Sequence, residues 1–216
     1  LQSFSEVQGV ELSYNDQGQL VDRGDPAAAE AIMTMLTDEW GYPVSDREMD
    51  PADPLVNTAS EYMYQMAVIT HHVIDGTYPV TLTEDQLVDA DGNALTEVVV
   101  NGETIAIPAT IPAEGLTFDV NGEGRYWNDF DRTNPVDAAV RPLVWTGTVH
   151  GLVGELGVGT VTASALQLAL GMTALIAGLG VINLLTGAGL YWAAGPRRTA
   201  ELPPAPVEQP ELERIG

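Results

Sequence analysis

TVTASALQLALGMTALIAGLGVINLLTGAGLYWAAG, residues 160–195, contains no Asp, Glu, Lys or Arg, and Pro196-Arg197-Arg198 follows it directly. A helix needs about 20 apolar residues to cross the hydrocarbon core of a bilayer, and this run is longer. A buried core helix of a soluble protein is the alternative. It fits poorly, because core helices rarely run beyond about 25 residues without a charge or a cap. The run is therefore expected to be one membrane-spanning helix near the C-terminus.

Working outward, the flanks give an orientation. Arg197 and Arg198 close the run, whereas the preceding flank carries Glu155 and no nearby Arg. Positive residues favour the cytoplasmic side, so the C-terminus is expected inside the cell and the N-terminal region outside it. Tyr191 and Trp192 stand just before the arginines, where an interfacial aromatic belt belongs. These signals place the chain in the plasma membrane as a single-pass protein. It begins with Leu1 in place of Met, so processing or trimming of a longer precursor is expected.

Small residues line the helix. Ala165, Ala169, Thr173 and Ala177 fall four apart, and Gly180 and Gly187 continue along that side. Ala174 and Gly178 make a second pair. Such faces let helices approach closely in lipid, where packing drives association. Gln167 and Asn183 carry the only amides in the run and favour a polar group on a partner over lipid. The expected partner-packing set is Ala165, Ala169, Thr173, Ala177, Gly180 and Asn183. Simple tolerance of Gly and Ala in spans is the alternative.

Composition bounds the rest. The chain has 216 residues, 31 acids against 8 arginines, no lysine and a formal charge of −23, and 27 of the acids precede residue 160. So negative a surface repels nucleic acid, whose binding rests on Lys and Arg at phosphates. It also repels anionic headgroups and attracts cations. A solubility effect, or a GC-rich or salt-adapted genome that prefers arginine, accounts for the same composition. The absence of cysteine excludes disulfides, thiol catalysis, Cys-ligated zinc and iron–sulfur clusters.

Residues 1–146 read as one acidic α+β domain with two helices on an antiparallel sheet of four to six strands. Short strands and turns fill residues 1–24. Asp25-Pro26 opens a helix to about Trp40, where Gly41-Tyr42-Pro43 stops it. A second helix is expected over about 54–74, with Asp53-Pro54 at its start. Asp91-Gly92 and Asn101-Gly102 mark hairpins joining strands 87–89, 94–100 and 103–108. A further hairpin is expected between 116–120 and 125–130. Residues 147–162, with glycines at 147, 151, 154, 157 and 159, are too glycine-rich to favour a helix. They are expected to form a juxtamembrane segment lying in the interface, or a re-entrant piece with the span. Residues 163–195 are the span, and residues 196–216 a Pro/Glu-rich cytoplasmic tail, extended or disordered.

No catalytic constellation stands out, and no catalytic, cofactor-binding or metal-binding residue is expected. His71-His72 lie about 100° apart on a helix, poorly placed to share one metal. Asp89-Ala90-Asp91-Gly92-Asn93 has the look of a calcium loop, but the first and twelfth ligand positions fall on Leu87 and Val98. Glu123, Asp129 and Asp131 gather near Trp127, as paired carboxylates do in acid–base or cation sites, yet clusters arise by chance in so acidic a chain.

VDADGNALTEVVVNGETIAIP (88–108), followed by RYWNDFDRTNPVD (125–137), has the style of actinobacterial envelope proteins. With the single span, the large outer domain and the proline-rich end, the chain resembles the actinobacterial accessory subunits of the cytochrome bcc–aa3 respiratory supercomplex. LTFDV (116–120) with RYWNDFD is also similar to the porin-like family of predicted actinobacterial membrane proteins. The first resemblance implies a non-catalytic subunit supporting assembly or stability, with other membrane subunits and the bilayer as partners. It transfers no functional residue. A different class of function stays open: a membrane-tethered binding or sensor domain for a cationic or envelope ligand.

Overall fold

The computed structural model describes residues 9–195. Arg197, Arg198 and the tail lie outside the described residues, as does the start of the first expected strand region. The chain divides into two units, Leu1–Leu168 and Ala169–Gly216. The first is an α+β head.

In the head, α1 (Pro26–Thr34) starts as its sequence predicts. The Asp25 side chain accepts from Ala27 N at 2.9 Å, and proline occupies the first turn, where its missing N–H costs nothing. Ile32, Met35 and Leu36 face the core. The last turn, Met35–Glu39, widens to a π-helix that ends when Trp40 N donates to Met35 O at 3.0 Å.

The second helix begins later than Asp53-Pro54 predicts. α2 runs Ala59–Ile74, and its cap is the Thr58…Glu61 capping box. Residues 54–56 are not free to coil, because Pro54 O accepts from Leu12 N and Val56 N donates to Val10 O. Glu61 Oε2 accepts from Asn57 N at 3.0 Å and Thr58 N at 2.8 Å, which lets a carboxylate only 2% exposed sit at the helix start.

Two two-stranded antiparallel sheets replace the single sheet of four to six strands. β2 (Glu97–Val100) and β3 (Glu103–Ala106) form the hairpin that Asn101-Gly102 marks. Both turn residues have positive φ, 53° and 81°, the pairing a type I′ turn needs. β4 (Leu116–Asn121) does not pair with 125–130. Its partner is β1 (Thr77–Leu82), with Val80 opposite Phe118 and Leu82 opposite Leu116. Val80, Leu82, Phe118 and Val120 alternate inward and are buried, each side chain worth about 1.5–3 kcal/mol. Residues 125–130 instead fold into turns, Arg125 N donating to Gly122 O and Asp129 N to Tyr126 O.

A helix absent from the sequence reading follows. α3 (Pro135–Val144) has Asn134 as its cap, accepting from Val136 N at 2.9 Å. Val136, Val140 and Val144, four apart, bury one face against β1 and β2.

The expected glycine-rich juxtamembrane segment is helical. α4 is one continuous helix, Gly147–Ala194, long and apolar enough to cross a membrane. The glycine penalty of about 1 kcal/mol per residue does not interrupt the helix, which runs through all five glycines.

Candidate functional site

Within the head, glycine is what lets α4 dock. A Cβ at Gly159 would lie 2.7 Å from the Tyr62 ring, and one at Gly157 would lie 3.6 Å from the Met66 methyl. Leu156, just before Gly157, is 5% exposed. Gly147, Gly151 and Gly154 have nothing within 4 Å of their Cβ positions. The 3.6 Å at Gly157 is ordinary contact, so close approach to α2 requires glycine at Gly159 alone of the five.

About two turns beyond Gly159, Gln167 Nε2 donates to Glu48 Oε1 at 2.6 Å. Glu48 Oε2 accepts from Ser60 N at 2.9 Å, and Ser60 Oγ accepts from Ser45 N at 3.0 Å. Gln167, expected to seek a partner's polar group, thus finds its own head. Burial alone would raise the Glu48 carboxyl, but hydrogen bonds from Gln167 and Ser60 outweigh it and hold the carboxyl below its ordinary value.

Of the expected packing set, Ala165 stands on the head portion of α4 and is exposed. Ala169, Thr173, Ala177, Gly180 and Asn183 belong to the second unit, where every residue of Ala169–Ala194 is exposed. At about 100° per residue, those five positions and Gly187 fall within an arc of roughly 120°. Thr173 Oγ1 donates to Ala169 O at 2.8 Å, so its hydroxyl is satisfied within the helix. Asn183 stands near the middle of Ala169–Ala194 and is the only amide side chain there. Gly180 precedes it by three residues and Gly187 follows by four, so small residues flank the amide along one face.

The other candidates are largely occupied by structure. His72 Nε2 lies 3.0 Å from Asp22 Oδ1, and the His71 and His72 rings meet edge to face at 5.8 Å. Asp89 Oδ1 accepts from Asp91 N and Asn93 N, closing a tight turn, and the Asn93 amide holds its carboxyl below the usual range. Asp129 Oδ2 accepts from Tyr126 N, and Asp131 Oδ1 from Thr133 N and Oγ1. Asp137, unmarked in the sequence reading, pairs with Arg125 and accepts from Asp131 N. These carboxylates staple loops. Among the described residues no three His, Asp or Glu side chains gather as a metal site.

A feature the sequence did not disclose is a cleft of about 600 Å³ in the head. Tyr14 and Leu20 come from the N-terminal hairpin, Met33 from α1, and Tyr42, Asp46 and Met49 from the loop after it. No spacing in the sequence links these residues, which is why pattern reading passes over them. Burial raises the Tyr14 phenol, helped by Glu61 and Asp50, and raises that of Tyr42, helped by Glu48. The Tyr14 hydroxyl is buried and has no hydrogen-bond partner among the described residues.

No protein-family model, curated protein or solved structure matches this chain.

Proposed function

We propose that this chain is a non-catalytic subunit of a larger membrane protein complex, anchored by the C-terminal part of α4. The observation that carries the reading is Asn183, an exposed amide midway along Ala169–Ala194 with glycine on either side. An amide at mid-bilayer is costly in lipid and gains about 0.6–2 kcal/mol from a polar group on a neighbouring helix. Ala169, Thr173, Ala177 and Gly180 give that neighbour room for close approach.

The span begins after Leu168 in this reading, since the head engages α4 as far as Gln167. Ala169–Ala194 then runs about 39 Å at 1.5 Å per residue, enough for a core of about 30 Å with some tilt. Arg197 and Arg198 support a cytoplasmic C-terminus and an extracytoplasmic head at the plasma membrane. The resemblance to accessory subunits of the cytochrome bcc–aa3 supercomplex supports a respiratory complex as the assembly.

The test is replacement in the full-length protein. Asn183→Leu, and separately Leu at Ala169, Thr173 and Ala177, should reduce copurification of other subunits in mild detergent. A comparable enlargement away from both small-residue pairs, Leu175→Phe, should not. An assembly unchanged by both sets would remove this face from the account.

A further inference from the structure

The head's cleft is shaped for a small molecule. At about 600 Å³ it lies within the 300–1,000 Å³ typical of ligand sites. Its apolar lining residues Tyr14, Leu20, Met33, Tyr42 and Met49 each pack only partly against the core, leaving one side of each toward the cleft. The π-helical turn Met35–Glu39 contributes Thr37 to the same wall, and such turns are frequent at functional sites.

The charge of the lining narrows the ligand class. Among the described residues, Asp46 is the one charged side chain in it and no arginine lines the wall. Glu48, Glu61 and Asp50 stand close enough to act on Tyr14 and Tyr42. An anion would meet the Asp46 carboxylate here. An uncharged apolar molecule would leave Asp46 and its neighbours without use. Two tyrosines and a carboxylate lining one cleft suit an organic ammonium ion, through cation–π attraction and direct charge pairing.

We propose that this cleft binds a small organic cation, an amine or quaternary ammonium with an apolar body, between Tyr14 and Tyr42 and against Asp46. The site does not depend on the reading of α4 as a partner-packing helix. It also lies on the loop that carries Glu48, whose carboxylate holds Gln167 of α4.

The test uses the full-length protein in detergent with benzyltrimethylammonium as probe and benzyl alcohol as its uncharged counterpart, read by calorimetry. Saturable binding of the cation with a stoichiometry of one is expected, weakened about tenfold by Asp46→Asn and by Tyr42→Ala. Asp46 is exposed, so Asp46→Asn keeps the fold and stands as the decisive variant if Tyr42→Ala is unstable. Benzyl alcohol should compete at least tenfold less well. Absence of saturable binding would overturn the proposal. So would full binding by Asp46→Asn, which would put the cation elsewhere on the acidic surface, or equal competition by benzyl alcohol, which would make the cleft merely apolar.

Discussion

Replacing Gly159 with alanine should destabilise the head, although alanine is the better helix former. Gly159 has helical neighbours on both sides, so the methyl alone would stabilise by about 0.5–1 kcal/mol through chain entropy. The added Cβ, however, meets Cδ1 and Cε1 of Tyr62 at 2.7 Å, and Tyr62 is only 3% exposed. Its ring has no solvent to swing into, and overpacking of this kind costs about 1–3 kcal/mol. Gly154→Ala is the internal control. It sits on the same helix with nothing within 4 Å of its Cβ, so it receives the entropy gain without the clash. The difference between the two variants cancels propensity and reads the contact alone, at about 1–3 kcal/mol. In thermal unfolding followed through the head's tryptophans, in mild detergent, that is a gap of roughly 2–12 °C, with Gly154→Ala above wild type. Equal stability of the two variants would refute the docking of α4 on Tyr62.

Other outcomes follow from the same contacts. Glu61→Ala removes the acceptor of two backbone N–H groups and should lower stability by about 2 kcal/mol in urea unfolding, with an unchanged m-value. Glu48 titrates in the folded protein below its ordinary 4.5, so its contribution is present above that value and fades as pH falls through the lower folded pKa. Between pH 6 and pH 3 the melting temperature of the native protein should therefore fall more steeply than that of Glu48→Gln, and superimposable profiles would count against the Gln167 and Ser60 hydrogen bonds.

The apolar helix and the Asp25-Pro26 helix start were plain in the sequence because each rests on local chemistry. So was the Asn101-Gly102 hairpin. Asn134-Pro135 carries the same signal as Asp25-Pro26, yet α3 was overlooked because Asp137, Arg141 and Pro142 interrupt its pattern. Asp53-Pro54 misled, since pairing of 54–56 with 10–12 across the fold holds that segment extended. The true start, Thr58-x-x-Glu61, was there to be read as a capping box. Asn121-Gly122-Glu123-Gly124 suggested a local hairpin, whereas β4 pairs with β1 across more than thirty intervening residues, a choice made by the burial of Val80, Leu82, Phe118 and Val120. The glycines of 147–159 read as helix breakers because propensity ignores what packs beside them. Gly159 is small where Tyr62 approaches. For the partner-packing set, spacing and composition are the whole signal. The cleft was invisible because its walls come from a hairpin, a helix and a loop.

The proposed function requires the exposed helix to join this chain to other membrane proteins. Its most direct measurement is the protein mass of the native particle after extraction in a mild detergent, by size-exclusion chromatography with light scattering. The account predicts a protein mass well above the 23.0 kDa of the single chain, with other polypeptides in the same peak. A particle of one 23.0 kDa chain in its micelle would contradict it.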